Sequence, residues 1–162
     1  GFRKSRQRVY NDFRRSLMSQ IIHLVYASAA TQPMSHDELL RLLTRARQFN
    51  HSRSITGMLL YCDGSFFQVL EGEEPEIDAL YRMIRKDPRH GKITQIIKEP
   101  IAHRSFSEWS MAFAGATPDQ LDKIEGLKDF FTSGSCLADI DTGRAKKLLN
   151  AFSCGRWRNK LQ

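Results

Sequence analysis

The sequence predicts an α+β domain of the ferredoxin-like type, βαββαβ(β). It has a five-stranded mixed sheet, two helices on one face, and C-terminal helices beyond it. Three observations predict it. Short apolar runs alternate with stretches of helical periodicity in the order strand, helix, strand, strand, helix, strand, strand. The second and third strands are joined by Cys62-Asp63-Gly64-Ser65, an Asp-Gly turn of the kind that closes a hairpin. Two capping boxes, Ser35 to Glu38 and Thr117 to Gln120, mark helix starts.

Ile21 to Ser28 is the first strand, apolar on both faces as a central strand requires. Ser35 then opens a helix with apolar positions Leu39, Leu40, Leu43, Ala46 and Phe49, ending near Asn50. Ile55 to Tyr61 forms the second strand and Phe66 to Gly72 the third. On the third strand Gln68 shares a face with Phe66 and Leu70, where a plain core would hold an aliphatic residue. A buried amide there costs free energy unless a polar group meets it.

The next helix begins at Glu73-Glu74-Pro75-Glu76 and carries Ile77, Leu80, Tyr81 and Ile84. Its acids stand at the start and Arg85 and Lys86 at the end, matching the helix dipole, and Pro88 stops it. Ile93 to Ile97 and Phe106 to Phe113 are the fourth and fifth strands. In a sheet of this order strands one and three are central neighbours, which sets Tyr26 beside Gln68. Where strand five joins is left open. Thr117-Pro118 starts a helix through Leu121, Ile124 and Leu127 toward Phe130-Phe131. Asp141 or Thr142 caps the last one, with Ala145, Leu148, Leu149 and Phe152, before Gly155. Both stripes are expected to cover the open face of the sheet.

The 162 residues, 41% hydrophobic, suit one globular domain with short extensions. No apolar run approaches the roughly 18 residues that span a bilayer, and the arginine-rich start has no apolar signal region. Cys62, Cys136 and Cys154 lack metal or disulfide spacing and read as reduced thiols of a cytoplasmic protein. The net charge of +7 is unevenly spread. Residues 1–17 hold six Lys/Arg against one Asp, and residues 144–162 hold six against none. The body between them holds 13 basic and 17 acidic residues. An acidic body with basic ends argues against a nucleic-acid-binding face. Residues 1–17 are read as a basic extension, either an upstream-translated or appended segment before Met18 or a short helix on Val9, Tyr10, Phe13 and Leu17. Residues 18–116 form the working domain and 117–162 a C-terminal helical extension.

Tyr26, Asn50, Gln68, Trp109, Ser110 and Met111 gather a phenol, two carboxamides, an indole, a hydroxyl and a thioether around the space between helices and sheet. Singly, each has an ordinary structural role: a core tyrosine, a helix cap, core packing. Together they resemble the BLUF family of flavin-binding blue-light sensors. The resemblance runs from about Ile21 to Phe113 through Leu24-Val25-Tyr26-Ala27-Ser28, Ala46-Arg47-Gln48-Phe49-Asn50, Ile55 to Tyr61, Gly64 to Gly72, Asp87-Pro88-Arg89-His90 and Trp109-Ser110-Met111.

The resemblance implies FAD as cofactor, with FMN or riboflavin as substitutes. Tyr26 matches the photoactive tyrosine, and Gln68 the glutamine between it and the flavin. Asn50 matches the asparagine on the flavin's pyrimidine edge. Arg89, His90 and Ser28 complete the cofactor set, with Arg89 and His90 toward the ribityl and phosphate end. Trp109 and Met111 match the switch pair. Phe49 stands where some relatives carry a polar residue. Residue chemistry agrees: carboxamides carry both donors and acceptors, and a neutral phenol gives up an electron and a proton.

The implied function is a photoreceptor, not an enzyme: no nucleophile–base pair, metal cluster or phosphate loop stands out, and His36, His51 and His103 fall in surface-like contexts. The about 45 residues after strand five are too few for a cyclase or phosphodiesterase. Output is then expected by binding, as a homo-oligomer or to a downstream regulator protein, without membrane or nucleic acid. The alternative is a non-photoactive ferredoxin-like protein-interaction module. An RNA-binding sheet would need exposed aromatics and a basic face.

Overall fold

The computed structural model describes residues 2–154, with residues 12–19 described by their backbone alone. In chain order the elements are α1 (Phe2–Ser19), β1 (Ile21–Ala30), α2 (His36–Ser52), β2 (Thr56–Cys62), β3 (Ser65–Glu73), α3 (Glu74–Lys86), β4 (His90–Ile101), β5 (Ala112–Gly115) and α4 (Pro118–Asp122). A 3-10 turn (Leu137–Asp139) and α5 (Thr142–Ser153) follow. The sheet order is β4-β1-β3-β2-β5. β5 lies parallel to β2 and every other pair is antiparallel, so the sheet is mixed as predicted. β1 and β3 are central neighbours, and Tyr26 pairs directly with Gln68.

Local chemistry explains the frame. Asp63 and Gly64 have φ of 48° and 78°, the left-handed pair of a two-residue hairpin turn. Ser35 Oγ accepts from the Glu38 amide at 3.2 Å to start α2. Thr117 and Gln120 form a reciprocal box, and Asp141 caps α5 through the Arg144 amide at 2.8 Å. Gly57 is demanded by close packing: a Cβ there would lie 1.9 Å from the Val69 carbonyl oxygen.

Side-chain alternation divides the core in two. Leu24, Tyr26, Leu59, Phe66 and Leu70 pack with Leu43 of α2 and Ile77 and Tyr81 of α3. On the other face Val25, Ala27, Met58, Leu60, Phe67 and Val69 meet Leu121, Leu127, Phe131, Leu148 and Phe152. The C-terminal segment therefore covers the open face, as its apolar stripes predicted.

Three expectations are corrected. β4 runs from His90 to Ile101, well beyond Ile93–Ile97; as an edge strand it is largely exposed, so polar residues and Pro100 conceal its length. β5 begins at Ala112 and not Phe106. The amides of Ser105 and Phe106 go to the Glu71 carboxylate and that of Trp109 to the Phe106 carbonyl, leaving no ladder to join. Trp109 and Met111 thus precede the strand. The helix begun at Thr117 ends at Asp122, because Gly126, Asp129 and Gly134 adopt left-handed φ of 88°, 64° and 100°. Leu121 is buried from α4, and Leu127 and Phe131 are still buried from the turns that follow. At the N-terminus Phe2–Ser19 is helical, so α1 continues past Met18 to Ser19. The expected stop at Gly155 lies outside the described residues.

Candidate functional site

A cavity of about 260 Å³ lies between α2, α3 and the sheet. β1 supplies Tyr26, β3 Gln68, the last turn of α2 Asn50, the α3–β4 connection Asp87 and Arg89, and the start of β4 His90. Leu59 and Ile84 line it too, giving apolar surface beside polar edges.

The polar groups form a directed chain. The Tyr26 hydroxyl donates to Gln68 Oε1. Gln68 Nε2 in turn donates to Met111 Sδ at 3.4 Å. A thioether is a weak acceptor, so the amide's nitrogen end is held much more loosely than its oxygen end. Asn50 is 1% exposed and its Nδ2 donates to the Ser110 carbonyl at 2.9 Å. Its Oδ1 is buried without a hydrogen-bond partner. An orphaned acceptor costs about 1–3 kcal/mol, and Asn50 is a lining residue of the cavity, so an N–H donor is what this oxygen lacks.

Burial, with smaller effects from Tyr81 and Asp87, raises the Tyr26 pKa far above the ordinary phenol value. Tyr26 is therefore neutral at physiological pH and keeps its proton to give. The Arg89 guanidinium holds Asp87 below the usual carboxylate range, through Nε at 3.0 Å from both carboxylate oxygens. His90 Nδ1 meets Ser28 Oγ at 2.9 Å, and its ring stands edge-on to Phe66 with centroids 5.2 Å apart. Burial pushes the His90 pKa down and favours the neutral imidazole.

Of the residues singled out from sequence, Tyr26, Asn50, Gln68, Arg89 and His90 share this cavity. Ser28 sits behind His90, wholly buried. Met111 is 1% exposed and stands behind Gln68, whereas Trp109 packs into the C-terminal core on the opposite face. Had strand five begun at Phe106, alternation would have placed both on one face. Sequence reasoning assigned nothing to Asp87, Arg45 or Arg47. Asp87 and Arg45 line the cavity, and Arg47 Nε donates to the Met111 carbonyl at 2.9 Å. A signal for Asp87 existed in its spacing, two residues before Arg89; surface-like helical arginines carry none.

Comparison with known proteins converges on one family. The family model BLUF, described as sensors of blue-light using FAD, matches residues 21–112. The photoactivated adenylate cyclase subunit beta of Euglena gracilis is 34% identical over 144 residues, spanning 82% of this chain and 17% of that protein. The subunit alpha from the same organism is 36% identical over 110 residues, spanning 68% of this chain and 11% of that protein. This chain therefore corresponds to a small part of those relatives. Among solved structures, BlsA in its photo-activated state superposes with a TM-score of 0.70 at 29% identity, over 85% of this chain and 97% of that one. Dark-state BlrB, a BLUF protein, gives 0.67 at 28% identity, over 85% and 98%.

Proposed function

The chain belongs to the BLUF family of FAD-using blue-light sensors, and on that premise we propose that Tyr26 and Gln68 perform its photochemistry, with Asn50 holding the flavin. The Tyr26–Gln68–Met111 hydrogen-bond chain beside the orphaned Asn50 Oδ1 is the observation that carries this reading. Bound flavin supplies the absorption of blue light and an excited state that accepts an electron. Tyr26 would give up the electron and pass its hydroxyl proton on by way of Gln68, and both would return to Tyr26 as the charges recombine, leaving no net redox change. Gln68 responds by exchanging its donor and acceptor ends, which an amide does without gaining net charge. Its loosely held nitrogen end is the side free to turn. Asn50 Oδ1 would accept an N–H of the flavin's pyrimidine edge and so help to orient the ring. Arg89 and His90 serve the ribityl and phosphate end, with Ser28 behind His90 and Arg45 lining the same cavity.

Met111 feels any movement of the Gln68 amide, because its sulfur is the acceptor of Nε2. From Met111 the change passes along residues 106–111 to the C-terminal core that Phe106 and Trp109 enter. Residues 18–116 are then the sensing unit and 117–162 the output surface, acting on a second copy or a separate regulator. A coupling of about 1–3 kcal/mol is enough to change partner affinity some 5–150-fold. A non-photoactive interaction module would leave the Asn50 acceptor without purpose.

An absorption spectrum under blue light tests the reading. FAD-loaded protein should shift its flavin bands slightly to the red and recover in the dark, and Gln68→Leu should not. A protein that stays colourless with FAD, or a Gln68→Leu variant that keeps the shift, sinks it.

A further inference from the structure

Glu71 lies on β3, three residues after Gln68, and so faces the opposite side of the sheet. Its carboxylate is wholly buried and has no part in the light-driven steps above. Three donors converge on it: the Ser105 amide at 2.6 Å, the Phe106 amide at 2.9 Å and Thr56 Oγ1 at 3.0 Å. A carboxylate offers only acceptors, so it suits three donors; a neutral amide in its place would turn N–H against N–H. The Arg104 guanidinium ties the same corner, donating to Thr56 Oγ1 at 2.9 Å and to the Glu71 carbonyl at 3.1 Å.

This corner is the near end of the segment that brings Met111 to Gln68. The far end is pinned by Gly57 N to the Trp109 carbonyl at 3.2 Å, Asn50 Nδ2 to that of Ser110 at 2.9 Å, and Arg47 Nε to that of Met111 at 2.9 Å. Regular sheet pairing starts only at Ala112, so residues 104–111 take their position from these two sets of anchors. Met111 ends in the cavity-side core and Trp109 in the other. We propose that Glu71 is the positioning residue of the switch segment: its carboxylate fixes where the segment starts, and thereby keeps Met111, and not Trp109, against Gln68. The inference rests on the reading of Gln68 as the light-responsive amide. It adds a control point on the far face of the same strand.

Hydrogen exchange and the flavin spectrum of the full chain, loaded with FAD and kept in the dark, test it. Glu71→Gln should speed exchange of the Ser105 and Phe106 amides on the order of tenfold and displace the dark flavin band, through a moved Met111. Thr56→Val, which removes one donor, should produce a smaller acceleration of the same sign. Parent-like exchange in folded Glu71→Gln overturns the proposal, as does faster exchange with an unmoved band, the mark of a purely structural role. Should Glu71→Gln not fold, Thr56→Val decides alone, and parent-like exchange there overturns it. A parent protein without a reversible red shift defeats the photoreceptor reading instead, and the dark exchange comparison still stands.

Discussion

The two faces of one sheet have opposite chemistry although the same strands build both. Toward α2 and α3, the core is interrupted by Tyr26, Gln68 and Asn50, a cavity of about 260 Å³ and an acceptor without a partner. Toward α5, Phe67, Val69, Met58 and Leu60 close against Leu148 and Phe152, nearly all apolar. The first face gives up packing for a ligand; the second is built as an ordinary interior. Neighbouring residues on β3 serve both, since Gln68 looks into the cavity while Phe67 and Val69 look into the C-terminal core. The segment before β5 joins them again, with Trp109 on one side and Met111 on the other. A change at Gln68 is thus one peptide away from the C-terminal core.

Breaking the cavity face should abolish the light response while sparing the fold. Tyr26→Phe keeps the ring packing against Tyr81 and removes only the hydroxyl. It should bind FAD and lose the reversible red shift entirely, read by difference spectra under blue light. Breaking the packed face should do the converse. Phe152→Ala empties a site that is 2% exposed, and chemical denaturation should register a loss of about 3–5 kcal/mol. In the remaining folded protein the size of the initial red shift should be unchanged. If both variants lose the shift equally, the faces are not separable.

A finer division concerns ligand holding. Asn50→Ala removes the orphaned acceptor and also the bond to the Ser110 carbonyl. FAD affinity should fall by about tenfold by titration, as expected for roughly one hydrogen bond of this kind. Gains in affinity would refute Asn50 as the flavin's anchor.

The smallest effect is a pH slope. Burial depresses the His90 pKa below its ordinary 6.5, so the unfolded chain takes up the proton first as pH falls. Its favourable share of stability is therefore complete above pH 6.5 and is lost as pH drops toward the lower folded value. Thermal melts between pH 7.5 and about 5 should show a shallower decline for His90→Asn than for the parent. Matching slopes would remove His90 from the account.

Much of this was legible without coordinates. Asp63-Gly64 specified the hairpin, because an Asp-Gly turn tolerates two left-handed residues. The serine, threonine and aspartate caps marked α2, α4 and α5, because caps act within a few residues. The order of elements set β1 beside β3, and so Tyr26 beside Gln68. The bounds of edge strand β4 and of the short β5 are not legible in the sequence, because they depend on partners far along the chain. Leu127 and Phe131 show that helical spacing of apolar residues can be met by turns once the chain packs against something.

The sequence alone determined the alternation of strands and helices, the polar residue placed on a core face, and the family to which they belong. Those properties are local in spacing or cumulative along the chain. Only the tertiary structure decided that Trp109 and Met111 part to opposite faces, that Asn50 keeps one acceptor unpaired, and that Glu71 gathers the amides of Ser105 and Phe106. Each depends on a hydrogen-bond partner at least 34 residues away, or on the lack of one. The buried oxygens of Asn50 and Glu71 have very different company, and no pattern of neighbouring residues discloses which buried polar atom the fold will satisfy.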